Sequence, residues 1–248
     1  MVSVLSAAGL AVLGVYFIEM SRIADQLSRS NQRRHLAGFI LGLVVTLVIF
    51  VPSPDLFGPD YRFTVNMGQM LLAVDLGPLL LFSGIPAAML NPSQRPLSLT
   101  RFLSKPFLVG IVSTVILVVW FVPAIFELAS QNLTIWIIKQ IIFLVSGLLF
   151  WLPVASPIPA WKPAYPVQLL YLFLMRLPMT IIGIFFTFAD NLIYLSRSFS
   201  LEICAPSSIS DQRTGGLVIW TIGGLFIFAV LSVVFFRWFN GYQTSKSQ

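Results

Sequence analysis

The sequence predicts an all-α integral membrane protein, built as a bundle of seven transmembrane helices. Of its 248 residues, 57% are hydrophobic and 10% are charged, and the mean hydropathy is +0.90. Soluble domains carry about 25% charged residues, so this chain has too few charged residues to form a fully solvated surface. The apolar residues also gather in seven continuous stretches. Each is close to the roughly 20 residues that a helix needs to cross the hydrocarbon core.

The seven stretches follow one another through short connectors. Membrane strands are not expected, because a barrel would show alternating segments of about ten residues. No long polar, charged or low-complexity block divides the chain, so we expect one domain over residues 1–248. The expected spans are 2–18, 36–53, 64–86, 106–126, 134–153, 167–188 and 215–236.

The distribution of charge predicts the orientation. No Lys or Arg precedes the first stretch, and four arginines between Arg22 and Arg34 follow it. The positive-inside rule therefore places the N-terminus outside and the C-terminus inside. With that orientation, most other basic residues outside the spans lie inside: Arg95, Arg101, Lys105, Lys162, Arg237 and Lys246. The outer loops collect acidic residues instead: Asp55, Asp60, Asp190, Glu202 and Asp211.

The composition argues against two other classes of protein. The pI is about 9.8, but the basic residues stand in loops with few aromatic neighbours, so we expect no nucleic-acid partner. Cys204 is the only cysteine, and the only histidine is His35, in an inner loop beside Arg33 and Arg34. Neither a disulfide within the chain nor a Ser-His-Asp or Cys-His arrangement can form, so we do not expect an enzyme.

Several segments carry a resemblance to a known family. They are GLLFWLPV at 147–154, YP at 165–166 with LYLFL at 170–174, TFAD at 187–190 and DQRTGGLVIWTIGG at 211–224. In order and spacing these segments resemble the CtaG family of bacterial cytochrome c oxidase assembly proteins, from about residue 36 to residue 239. The resemblance implies a multi-pass protein of the bacterial inner (plasma) membrane. It also implies contact with the lipid bilayer and with oxidase subunits, and a role in assembling a copper-containing oxidase or a related respiratory complex.

The family pattern carries four histidines that this chain lacks. They belong to His-Met-x-x-His opening the third span, to Trp-His-x-Pro in the fourth, and to the start of the fifth. Here the four positions hold Asn66, Met70, Phe121 and Gln140. The predicted orientation places all four in the outer third of the membrane, where they could face one another. Amides are poor copper ligands and Phe is none, so the resemblance implies a degenerate copper site at these residues and Met67.

Two interpretations of the remaining thioethers stay open. Met67, Met70 and Met179 could form a soft Cu(I) site, because thioethers select Cu(I) over harder cations. Cys204 would then be a candidate thiolate partner. Alternatively, these methionines fill irregular gaps between packed helices, a common use of the residue. No cofactor other than copper is expected.

Three ionisable residues lie within the expected spans. Asp75 and Arg176 fall at similar depth near the midplane, so we expect an ion pair that faces the bundle interior. Such a pair either locks the helices together or serves as a proton or ion relay; alternatively, the two do not pair and Arg176 extends towards the inner surface. Lys139 lies about five residues from the outer end of its span, and we expect its side chain to reach the exterior surface. If it points inward instead, its charge would repel a metal beside Gln140.

Two acidic residues are candidates for contacts at the outer face. Asp211 stands near a helix N-terminus, where a carboxylate can cap free N–H groups, and Asp190 stands where a partner or a cation could reach it. The glycine pairs at 215–216 and 223–224 predict close helix packing.

The resemblance favours an assembly or stabilisation factor with a degenerate copper site. Two alternatives from other classes stay open. One is a small-solute or ion transporter that uses Asp75 and Arg176, and the other is a structural subunit of a larger membrane complex.

Overall fold

The computed structural model describes residues 2–23, 27–51, 59–89, 103, 105–194 and 208–246. These residues are mostly helical and contain no strand, as the sequence predicts. The first three long helices are α1 (Val2–Ile23), α2 (Arg29–Val48) and α3 (Arg62–Gly84). The next four are α4 (Pro106–Val119), α5 (Pro123–Gln131), α6 (Leu133–Ala155) and α7 (Tyr165–Phe188). The last, α8, runs from Ile209 to Lys246. Asp55, Arg95, Arg101, Glu202 and Cys204 lie outside the described residues.

Four of the described helices are long and apolar enough to cross a membrane: α3, α6, α7 and α8. The bent pair α4 and α5 makes a fifth crossing if its two helices count as one. Helix α1 covers the first expected stretch, and helix α2, which covers the second, is not among these candidates. The first six residues of α2 are polar and include Arg29, Arg33 and Arg34, which leaves its apolar part short.

The fourth expected span, 106–126, is not one straight helix. Its axis turns by 68° between α4 and α5, at residues 120–122. Pro123 occupies the first turn of α5, where its missing N–H costs no hydrogen bond. The expectation of a single helix was wrong here because the proline starts a second helix in a new direction.

The last helix begins six residues before the expected 215. Ser208 caps it: its Oγ accepts a hydrogen bond from the Asp211 amide at 3.1 Å. The polar residues 209–214 therefore form the first turns of α8 rather than a loop. Within α8, the close packing expected of the glycines is found at Gly216, where an added Cβ would lie 2.7 Å from the Gly183 carbonyl of α7.

Two π-helical turns interrupt the long helices, at Leu72–Leu76 in α3 and Val218–Ile222 in α8. A π turn widens the helix and frees a carbonyl from the regular ladder, and such turns occur often at functional sites. The carbonyl of Val74 in the first turn accepts from Trp151 Nε1 of α6 at 2.9 Å. That of Ile219 in the second faces Arg176 of α7 at 3.4 Å.

The bundle has two chemically different ends. His35 Nδ1 lies 2.8 Å from the Ser83 carbonyl, which joins the start of α2 to the end of α3. This end, which we call the basic end, carries these described basic residues: Arg29, Arg33, Arg34, Lys105, Lys162 and Arg237. The opposite end carries Arg62 and Arg213 together with the acidic residues Asp60, Glu127, Asp190 and Asp211.

Candidate functional site

A buried polar centre lies between α3 and α6, formed by Asn66, Lys139 and Gln140. None of the three side chains is more than 1% exposed. Lys139 Nζ donates a hydrogen bond to Asn66 Oδ1 at 3.1 Å, and it also lies 5.7 Å from the ring centroids of Phe126 and Phe143. An amide oxygen and two aromatic faces are favourable surroundings for a buried ammonium group.

The expectation that Lys139 reaches the exterior surface was therefore wrong. The residue shares a helix face with Trp136, Gln140 and Phe143, at the i, i+3, i+4 and i+7 spacing of one stripe. All four side chains are buried, so this stripe is the inward face of α6. Reading Lys139 together with these neighbours, rather than by its distance from the helix end, would have placed it inside.

Two glutamines near the polar centre satisfy backbone carbonyls at the C-terminal cap of α2 and just beyond it. Gln140 Nε2 donates to the Ile49 carbonyl at 2.6 Å, and Gln69 Nε2 donates to the Val51 carbonyl at 2.5 Å. The last carbonyls of a helix have no partner within it, so these side chains replace water inside the protein. Gln140 Oε1 and Asn66 Nδ2 are buried without a hydrogen-bond partner among the described residues.

The three methionines of the expected soft site all lie in an apolar cluster. Met67, Met70 and Met179 are each at most 4% exposed and pack in one hydrophobic core. Phe121 packs against the same core, and its backbone carbonyl accepts from Tyr194 Oη at 2.9 Å. Within the described part of the chain, no three His, Cys, Asp or Glu side chains come together as a metal site would require.

The buried ion pair joins α3 to α7. Arg176 Nη1 lies 3.0 Å from Asp75 Oδ2 and 3.2 Å from Oδ1, and both residues are less than 10% exposed. Asp75 stands in the π turn of α3, and Arg176 Nη2 faces the carbonyl of Ile219 in the π turn of α8. The guanidinium thus ties three helices together. A Cβ at Gly223 would overlap Arg176 Nη2, so this glycine makes room for the charge, a role that the sequence pattern did not indicate.

The two acidic residues expected at the outer face have different surroundings. Asp190 is exposed, with its carboxylate 3.9 Å from Arg213. Asp211 is 2% exposed and its carboxylate accepts from Phe63 N at 3.0 Å, Thr64 N at 2.9 Å and Thr64 Oγ1 at 2.7 Å. It caps a helix, as its position suggests, but the capped helix is α3 rather than its own.

The arrangement stabilises helix contacts and buries charge. Several of its polar groups bond to other protein groups, and the Lys139 ammonium places a positive charge at its centre. Fold and site together define a helical membrane protein whose polar residues lie between the helices.

The chain belongs to the cytochrome c oxidase caa3 assembly factor family (Caa3_CtaG), whose family model matches residues 14–241. This confirms the family resemblance found in the sequence and extends it towards the N-terminus. Neither a curated protein nor a solved structure was found to match the chain. Membership supports a role in oxidase assembly.

Proposed function

We propose that this protein helps to assemble or stabilise a copper-containing cytochrome c oxidase, or a related respiratory complex, without itself holding copper at the family's histidine positions. The observation that carries the copper-free part is the Lys139 ammonium, 3.1 Å from Asn66 Oδ1 in a position closed to solvent. The assembly role rests on the family to which the chain belongs.

The electrostatics of the polar centre support this reading. Two unit charges about 5 Å apart repel by roughly 3 kcal/mol at an effective dielectric constant of 20. A copper ion beside Asn66 and Gln140 would meet that repulsion with amide and thioether ligands in place of imidazoles. The ammonium supplies the positive charge, so the buried Asn66 Oδ1 is satisfied without a metal.

For the architecture, we propose a single domain with seven crossings, the N-terminus outside and the C-terminus inside, in the inner membrane of a bacterium. The grouping of basic residues at one end of the bundle supports this orientation. The transporter alternative has less support, because Asp75 and Arg176 are buried and bonded to each other at 3.0 Å.

The assembly role is tested by deleting the gene in the source bacterium and measuring assembled oxidase by its haem absorbance. We expect oxidase content to fall in the deletion strain and to return with the wild-type gene. A Met67→Leu/Met70→Leu variant should restore it equally well, since no thioether site is needed. Normal oxidase content in the deletion strain would contradict the assembly role.

The absence of copper is tested separately on purified protein. After loading with Cu(I) under reducing conditions and removal of unbound metal, we expect the wild type and Met67→Leu/Met70→Leu to retain equally little copper. The matched positive control is a variant with five substitutions, and it should retain more copper than the wild type. The substitutions are Asn66→His, Met70→His, Phe121→His, Gln140→His and Lys139→Met. Stoichiometric copper in the wild type that is lost in Met67→Leu/Met70→Leu would establish the thioether site instead.

A further inference from the structure

A cavity of about 540 Å³ opens at the basic end of the bundle, where α6 ends, α7 begins and α8 passes. Its walls are apolar and include these side chains: Leu79, Val154, Phe226, Val230 and Val234. The lining also contains two basic residues, Lys162 and Arg237, and the polar side chains of Tyr165 and Gln168. The cavity therefore has an apolar interior and a cationic rim, the two parts of an amphiphile's binding site.

Among the described residues, the cations at the rim have no acidic counterpart. No carboxylate is among the described residues that line the cavity, and the structure gives neither Lys162 nor Arg237 an ion pair with a described residue. Burial, and then the charge of Arg237, lowers the pKa of Lys162. Two like charges held near one another favour an anion between them.

The start of α7 adds to the positive potential. Ala164 and Tyr165 line the cavity, and Ala164 caps this 24-residue helix without a side-chain hydrogen bond. Pro166 has no N–H, and the Val167 N–H donates to the Ala164 carbonyl at 2.9 Å, so the helix dipole rather than a set of free donors supplies this contribution. This contribution adds positive potential to that of the two basic residues at the rim.

We propose that this cavity binds one anionic phospholipid, with its phosphate between Lys162 and Arg237 and part of an acyl chain along the apolar wall. Basic pockets between helices at the cytoplasmic side are suited to anionic headgroups. A zwitterionic lipid would add its own cation to a rim whose described lining residues include two cations and no carboxylate. A free phosphate ion would leave the apolar wall unused.

The test is a lipid titration of the full chain purified in detergent, read by native mass spectrometry. The probes are dioleoyl phosphatidylglycerol, dioleoyl phosphatidylcholine and inorganic phosphate. We expect phosphatidylglycerol to bind with one site per chain, phosphatidylcholine to bind at least roughly tenfold more weakly, and phosphate not to compete at the lipid's concentration. Each cation near an anionic lipid contributes about fivefold to binding, so Lys162→Gln/Arg237→Gln should weaken it by roughly 25-fold.

The matched control is Arg33→Gln/Arg34→Gln, which removes the same charge at the same end but away from the cavity. It should keep most of the binding. Ala229→Phe, which fills the apolar wall and keeps both cations, should weaken phosphatidylglycerol binding as well. If the Lys162 and Arg237 double variant does not fold, each single variant should still show about a fivefold loss.

Three results would overturn the proposal. Equal binding of the two lipids would show that the charge of the headgroup does not contribute to binding. Equal losses in the two double variants would mean that net charge alone attracts the lipid. Competition by phosphate at equal concentration would identify a free-anion site.

Discussion

The buried side chain of Lys139 places a positive charge inside the helix bundle. Its ammonium lies beside Asn66, one of the four positions that hold histidine in the family pattern, and it satisfies the Asn66 oxygen from within the chain. Its neighbours Trp136 and Phe143 are buried with it. Its distance from the helix end predicted the exterior surface, whereas its spacing with Trp136, Gln140 and Phe143 indicates the inward face of a helix that is otherwise apolar on nearly all sides.

The Asp75–Arg176 pair leads to a prediction at the residue scale. Asp75→Asn leaves a buried guanidinium without its counter-charge and should destabilise the protein by about 3 to 5 kcal/mol. Asp75→Leu/Arg176→Met removes both charges and should cost less than Asp75→Asn. Thermal unfolding of the purified variants in detergent measures the order of their stabilities. A double variant that melts well below Asp75→Asn would contradict this account of the pair.

At the scale of elements, the close contact between α7 and α8 depends on glycines, which have no side chain. We call this contact, where Gly216 faces Gly183 and Thr187, the seam. At Gly216 an added Cβ would lie 2.6 Å from Thr187 Oγ1 and 2.7 Å from the Gly183 carbonyl. At Gly224, in the same helix, it would meet nothing within 4 Å. Two glycines of one helix therefore form a matched pair.

We predict that Gly216→Ala lowers stability by about 1 to 3 kcal/mol because the two backbones must separate. Gly224→Ala should be neutral or should stabilise by up to about 1 kcal/mol, since alanine is the better helix former. Melting temperatures of both variants under the same detergent conditions provide the comparison. Equal effects at the two positions would show that the seam is not tightly packed.

The sequence predicted some elements well and others poorly, for physical reasons. The spans at 64–86, 134–153 and 167–188 match α3, α6 and α7 within about two residues, because long apolar runs admit few alternatives. The bend before Pro123 was missed, since proline is also tolerated inside helices of membrane proteins. The π turns were missed because Arg176 and Trp151, which contact their carbonyls, are distant in sequence.

The candidate site was predictable in part. Depth along the helices was enough to bring Asp75 opposite Arg176, because two antiparallel helices put residues at equal depth within reach. The cap that Asp211 provides to α3 could not be foreseen, because an acidic residue at a helix start usually serves that helix. Which neighbour lies beside a helix end is set by the packing of the whole bundle.

At the scale of the whole molecule, the two ends of the bundle predict its orientation. In a Cys204→Ser background, we expect Asp190→Cys to react with a membrane-impermeant maleimide on intact cells. Lys105→Cys at the basic end should react only after the membrane is permeabilised. Both positions are exposed in the structure, so access to solvent within the protein does not limit either reaction. The reverse pattern would contradict the proposed orientation.

The cap on α3 also bears on the order in which the protein can be completed during synthesis. The residue before this helix, Tyr61, offers no side-chain cap, and the carboxylate that binds the Phe63 amide lies 148 positions further along the chain. Because the chain is synthesised from its N-terminus, Asp211 is added only after α1 to α7 have been translated. The third helix therefore acquires its finished N-terminus when the last helix begins, and a nascent chain that stops before Asp211 leaves these amides for water or lipid headgroups to satisfy.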